Sequence, residues 1–264
     1  MLVFIKLGGS LITDKSRPKT PRLDVLQRLA QEVASARSLA PELKILLGHG
    51  SGSFGHVEAE RHGTVRGVKT PADWFGFAEV WQVADLLSRM AVDAFSREGI
   101  PVVRFSPSAG GMAESGRVAE MLSEPIRAAL DAGLVPVVYG DVMFDRERGG
   151  TIASTEDVFV FLAQQLRPDR ILLAGIESGV YADFPRRTQI LARLTPATWE
   201  EHRHGVGGSS EADVTGGMAG KVELMLELVR KLPALEVLIF SGQEPRAVTS
   251  ALLGKPVPGT WISL

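Results

Sequence analysis

Hydrophobic positions along the chain fall into two patterns that alternate with each other. Short runs rich in Val, Ile and Leu predict strands at 2–7, 44–47, 101–105, 135–139, 170–174, 236–240 and 260–264. Between them, apolar residues at three- and four-residue spacing predict helices over 22–38, 74–98, 120–132, 156–166 and 217–232. Continuous apolar strands separated by amphipathic helices imply an α/β fold with a mostly parallel sheet covered on both faces. One exception breaks the alternation. From Tyr139 to Ile152 the order Tyr-Gly-Asp-Val-Met-Phe-Asp-Arg-Glu-Arg-Gly-Gly-Thr-Ile predicts a hairpin whose charged turn is closed by Gly149-Gly150. No internal repeat, low-complexity tract or linker interrupts the chain, so residues 1–264 read as one domain.

Composition narrows the picture mainly by exclusion. At 264 residues there is enough chain for a sizeable buried core. A net charge of −2, with 23% charged residues, leaves no basic footprint for nucleic acid. The absence of cysteine removes disulfides, thiolate metal sites and cysteine nucleophiles. No apolar stretch approaches the roughly 20 residues that cross a bilayer, so no membrane partner is expected. Met1 to Ser10 lacks a basic leader and a cleavage site and reads as a first strand, which makes the cytoplasm the expected location.

In open α/β sheets a ligand lies beyond the carboxyl ends of the strands, and here those ends are informative. The predicted strands run into Gly8-Gly9-Ser10, into Gly48-His49-Gly50-Ser51-Gly52 and into Gly140-Asp141, which predicts one shared anion site. Lys6-Leu-Gly-Gly-Ser10 pairs a mobile cation with glycines whose N–H groups can approach a phosphate. Gly48-His-Gly-Ser-Gly-Ser-Phe-Gly-His56 is a second glycine-rich loop. Its Gly50-Ser-Gly-Ser-Phe-Gly55 formally satisfies a dinucleotide fingerprint, but 64–73 reads as a polar loop where a second strand ending in an acid should follow, so a phosphate cradle without NAD is the better account. His56, at the expected helix start, can donate to a phosphate oxygen from a ring nitrogen, whereas His49, nearer the strand, is expected to pack. No metal-ligand pattern surrounds His62, His202 or His204, and no protein metal site is predicted. The third segment is Asp213-Val-Thr-Gly-Gly-Met-Ala-Gly-Lys221, where Thr215 and glycines open a helix and Lys221 stands over its N-terminus. Val222 follows the lysine and Thr215 replaces the opening glycine, so it is not a Walker loop.

Taken in order, these segments resemble the amino acid kinase superfamily, and within it most closely the isopentenyl phosphate kinases. Lys6-Leu-Gly-Gly-Ser10 with Ile12-Thr-Asp-Lys15 resembles the opening motif, His49 to His56 the substrate loop, and Asp213 to Met218 with Lys221 the ATP segment. Pro136-Val-Val-Tyr-Gly-Asp-Val142 and Gly259-Thr-Trp-Ile262 also fit, so the likeness spans nearly the whole chain. The resemblance implies an open three-layer αβα sandwich, an acceptor-binding half at about 1–169, an ATP-binding half at about 170–264, Mg²⁺ with the ATP, and a homodimer. It implies that Lys6 and Lys221 hold ATP phosphates, that Gly8 and Gly9 hold the transferring group, and that Lys15 meets the developing charge. It further assigns ATP contacts to Ser10, Gly52, Gly175, Gly179, Tyr181 and Gly217, and acceptor contacts to Ser51, Gly55, His56 and Thr155. The acceptor implied is a small phosphate monoester, isopentenyl phosphate. A phosphonate acceptor such as fosfomycin, or a non-catalytic nucleotide sensor, is the alternative.

Several positions depart from the family pattern. Ser51 replaces the middle glycine of a His-Gly-Gly-Gly stretch. Ser154-Thr-Glu-Asp157 stands where Ser-Gly-Asp-Asp is common, a departure at the two positions, Thr155 and Glu156, where the resemblance implies a substrate contact and a lysine-organising acid. Ala174-Gly-Ile-Glu-Ser-Gly-Val-Tyr181 carries one residue more than the usual segment. An apolar channel for the acceptor tail is expected along 74–95, from Trp74, Phe75, Phe77, Val80, Trp81, Val83 and Ala84, most of which also suit a core.

Overall fold

A computed structural model describes residues 1–207 and 217–264, the side chains of His56 and Val57 excepted. The chain opens with β1 (Leu2–Leu7), α1 (Gly9–Ile12), α2 (Leu23–Leu39), β2 (Lys44–His49), α3 (Gly52–His62) and α4 (Pro71–Arg97). Next come β3 (Val102–Arg104), α5 (Pro107–Gly110), β4 (Gly111–Glu114), β5 (Arg117–Met121), α6 (Glu124–Asp131), β6 (Val135–Tyr139), β7 (Asp141–Asp145) and β8 (Gly149–Ala153). The remainder is α7 (Thr155–Leu166), β9 (Arg170–Gly175), β10 (Arg193–Leu194), α8 (Trp199–His202), α9 (Gly217–Lys231), β11 (Glu236–Ser241), α10 (Ala247–Leu252) and β12 (Thr260–Ile262).

Among the described residues an eight-stranded sheet runs β10-β12-β11-β9-β1-β2-β6-β3. Every neighbouring pair is parallel except β11 with β12. β1 has β2 on one side and β9 on the other, so the chain's crossovers go to opposite sides of β1, and such a switch point is where open sheets place ligands.

Both faces of this sheet are covered, and the two-residue period of each strand sorts its side chains between them. Val3, Ile5 and Leu7 of β1 pack into a core with Leu26, Leu29 and Val33 of α2, Leu87 and Phe95 of α4, and Val248 of α10. Phe4 faces the other way, into a core with Phe159 and Leu162 of α7 and Met225 and Val229 of α9. The result is the three-layer αβα arrangement expected from the sequence.

The hairpin predicted from Tyr139 to Ile152 is present as β7 and β8, paired antiparallel from Asp141 opposite Ala153 to Asp145 opposite Gly149. It belongs to a second, four-stranded sheet in the order β5-β4-β7-β8. The helix predicted over 120–132 is correspondingly shorter. Arg117–Met121 is drawn into a strand by pairing with β4, and the helix begins at Glu124 with Pro125 in its first turn.

Candidate active site

Backbone hydrogen bonds lace the strand exits into one rim. Gly50 N donates to Leu7 O (2.9 Å), Gly8 N to Ala174 O (2.7 Å), Gly140 N to His49 O (3.2 Å) and Gly242 N to Gly175 O (2.8 Å). Over this rim lies a cleft whose floor includes Gly8, Gly9, Ser10, Gly50, Ser51, Gly55, Gly140, Asp141 and Gly175. The three glycine-marked strand ends thus converge on one site, as the sequence predicts.

Two of these loops touch through bare backbone. A Cβ on Gly9 would collide with the N and Cα of Gly52, and one on Gly50 would stand 2.8 Å from Gly9 N. Gly52 itself has φ +50°, and a Cβ there would strike Thr13 Oγ1 and lie 2.7 Å from Gly9 O. Gly52 opens α3, with Ser51 at the N-cap making no side-chain capping bond. A Cβ on Gly55 would come within 2.5 Å of Ser51 Oγ, so this serine packs against a position that must stay bare.

The cations enter from β1, from α9 and from the loop between α1 and α2. Lys6 shares the face of β1 that carries Phe4, and Phe159 of α7 packs on Phe4 with the rings tilted and 5.2 Å between centroids. Glu156 lies almost one turn before Phe159 and so falls over Lys6, with which it forms an ion pair. Lys221, early in α9, approaches the same carboxylate from the other side at 3.8 Å. A capping box fixes the start of α7, with Asp157 N donating to Ser154 Oγ at 3.1 Å. Glu156 is buried; burial pushes its carboxyl up, but the charges of Lys6 and Lys221 outweigh that and hold it below its ordinary value. Lys15 also lines the cleft. The organising acid expected at Glu156 is therefore seated between two of the expected lysines.

Thr155 is wholly buried, and its hydroxyl donates to His49 O at 2.6 Å, tying α7 to the end of β2. It lines the cleft while that proton is committed to the backbone. His49 packs as expected, its ring stacked on Tyr139 at 5.4 Å and 4°. Asp141 is a feature the sequence did not single out beyond its position. It is a buried acid in the cleft wall, accepting from Ser108 N (3.1 Å) and Val142 N (2.9 Å).

Burial holds the His49 imidazole down at about 4, against the hydrogen bond to Gly50 and with help from Lys6 and Arg104. Burial pushes the Asp141 carboxyl up to about 6, against its hydrogen bonds and with help from Asp85. Their signs oppose. The unfolded chain protonates His49 below about 6.5 while the native chain does not, so this contribution to stability is full above that pH and is lost as pH falls towards 4. Native Asp141 keeps its proton to about 6 while the unfolded carboxyl loses it near 3.9, so its contribution is full below about pH 4 and is lost as pH rises through 6. Asp141→Asn removes one of two nearly cancelling effects. Its unfolding free energy in urea should climb with pH between 4 and 6 more steeply than that of the natural chain, by up to about 1.4 kcal/mol per pH unit. Parallel slopes would show that Asp141 titrates normally.

One wall of the cleft is apolar. Val80 and Ala84 of α4 line it, together with Ala59 of α3 and Ile152 of β8. The expected tail channel is thus only partly right: Phe77 and Val83 are buried core, Trp74 packs on Phe77 and Phe144, and Phe75 and Trp81 are exposed. Ala59 and Ile152 come from elements far apart in sequence, and only tertiary packing brings them together. On the opposite side Leu173, Ile176, Ile239 and Met218 form another apolar wall. Gly175 lies in the cleft, but Gly179 and Tyr181 do not line it. Gly179 packs on Thr260, whose Oγ1 accepts from Val180 N at 2.7 Å, and Tyr181 bridges to Ile190. Gly217 begins α9 with φ +65°. The expected contacts at Asp213, Thr215 and Gly216 and the side chain of His56 lie outside the described residues.

A parallel αβα sheet whose central strand ends in a cationic, glycine-floored cleft defines a phosphoryl-transfer scaffold, and comparison with known proteins gives it a family. The model of the amino acid kinase family matches residues 1–241, and the chain belongs to that family, whose members use ATP. The isopentenyl phosphate kinase of Methanothermobacter thermautotrophicus is 33% identical over 99% of both chains. That of Methanocaldococcus jannaschii is 31% identical, covering 99% of this chain and 98% of its own. A crystal structure described as isopentenyl phosphate kinase superposes with a TM-score of 0.85 at 31% identity, covering 100% of both chains. No helix among the described residues is long and apolar enough to cross a membrane.

Proposed function

We propose that this chain transfers the terminal phosphoryl group of ATP to isopentenyl phosphate, giving isopentenyl diphosphate. The observation that carries this reading is the cleft itself, cationic and glycine-floored on one side and lined by Ala59, Val80, Ala84 and Ile152 on the other. That polarity suits a short alkyl chain ending in a phosphate, and the full-length isopentenyl phosphate kinases among its relatives support the same acceptor.

The chemistry needs no general base, because a phosphate monoester with a second pKa near roughly 6 is largely ionised at pH 7. Two anions must instead be aligned and their charge offset. In this scheme Lys6 and Lys221 hold the ATP phosphates in a geometry set by Glu156, and the N–H groups of Gly9 and Ser10 hold the group in flight, while Gly8, whose own N–H is bonded to Ala174 O, lets that group approach the bare turn. Lys15 offsets charge at the transferring phosphoryl, and Ser51, Gly55 and His56 at the start of α3 hold the acceptor phosphate. ATP would lie over the half of the sheet from about Arg170 onward. Mg²⁺ bound to the ATP phosphates would supply further charge neutralisation. A homodimer is also proposed, since β3 leaves one edge of the sheet unpaired beside the exposed Val103, Trp81 and Leu86; light scattering should give twice the chain mass.

His56→Ala tests the acceptor assignment. It should raise KM for isopentenyl phosphate by at least about tenfold, the loss of a charge-assisted hydrogen bond, with ATP affinity measured alone nearly intact. Unchanged acceptor kinetics would remove His56 from the site.

A further inference from the structure

One wholly buried hydroxyl in the Ile12-Thr-Asp-Lys15 motif is given no role by the scheme above. Thr13 closes α1, donating to Gly9 O from its N–H at 2.9 Å and from Oγ1 at 2.7 Å. The same Oγ1 accepts from Ser53 N, in the first turn of α3, at 2.9 Å. A single oxygen thereby joins the loop after β1 to the loop after β2. Ser53 extends the joint, its Oγ accepting from Thr20 N at 3.2 Å and its carbonyl from Lys19 N at 3.0 Å. These bonds seat the hairpin that carries Lys15 on the helix that begins at the second loop.

A buried hydroxyl is costly unless it is fully paired, and valine would fill the same space while leaving the Ser53 N–H without this acceptor. What the oxygen adds is a fixed distance. Gly9 and Ser53 stand on the two loops whose bound phosphates must meet in line, and a misplacement of about 1 Å can cost on the order of a hundredfold in rate. We infer that Thr13 is a positioning residue that sets the spacing between the donor-phosphate loop and the acceptor loop through its bonds to Gly9 O and Ser53 N. The inference rests on the kinase reading.

The test compares Thr13→Val and Thr13→Ser with the natural chain, using ATP and isopentenyl phosphate, with ATP affinity measured calorimetrically without acceptor. Thr13→Val should lower kcat at least about tenfold while ATP binding alone changes less than about twofold, and Thr13→Ser should recover most of the lost rate. Thr13→Ala removes the same oxygen without added volume if the valine variant fails to fold. A merely structural role would lower the melting temperature and leave kcat per folded molecule unchanged. That result, or a serine variant as slow as valine, overturns the inference while the natural chain is active. A natural chain silent with every acceptor would overturn the kinase reading, and the inference with it.

Discussion

Lys6→Met should leave the protein folded and lower kcat by about a hundred- to a thousandfold, the usual effect of deleting one preorganised donor at a developing charge. Lys6 is nine-tenths buried at the end of the central strand, so its charge acts where water screens it little. Its Nζ is held by Glu156, whose own position follows from the packing of Phe159 on Phe4. Methionine retains the aliphatic stem and removes the charge. Glu156 would then keep Lys221 at 3.8 Å, and with the larger of its two cationic neighbours gone its carboxyl should move back up. Saturating both substrates separates this from weaker binding, since a group acting at the transition state lowers kcat itself. A kcat within about threefold of the natural chain would exclude Lys6 from the transition state, because it leaves less than about 1 kcal/mol to assign.

The second large effect is expected at a residue with no side chain. Gly52→Ala should destabilise the fold by about 3 kcal/mol and abolish most activity, combining a strained backbone with an overpacked contact. Its φ of +50° is one component, and the collision with Thr13 Oγ1 and Gly9 O is the other. Gly133 supplies the control, with φ +77° and nothing within 4 Å of its Cβ position. Gly133→Ala should therefore show the backbone cost alone, about 1 kcal/mol in urea unfolding, with activity retained. Equal losses in the two variants would mean that the contact between the loops is soft.

How much of this was readable beforehand depended on whether a feature was local. The parallel strands announce themselves as apolar runs, and the glycines at their ends fall where backbone meets backbone. Residues 111–121 do not: Met112, Ala113, Glu114, Ala119, Glu120 and Met121 are good helix formers, and only pairing with β7 and across the Ser115-Gly116 turn makes them β4 and β5. The position of Glu156 was readable from the family pattern, but its function depends on the register of α7 over β1. Next to it Asp157 is an ordinary capping acid. The tail-facing wall was the hardest to foresee. Trp74 and Trp81 look like pocket residues by type, yet Trp74 packs on Phe77 and Phe144, Trp81 is exposed, and the small Ala59 and Ala84 line the cleft. Nothing in an alanine's neighbours distinguishes a cleft wall from a core position.

The most direct test is a coupled ADP-release assay with ATP and Mg²⁺, offering isopentenyl phosphate, dimethylallyl phosphate, fosfomycin, glutamate and N-acetylglutamate in parallel. The account predicts turnover with isopentenyl phosphate, alone or with its dimethylallyl isomer, and none with the carboxylates. Turnover with fosfomycin alone would contradict the proposed acceptor while keeping the chemistry, and silence with every acceptor would contradict the account as a whole.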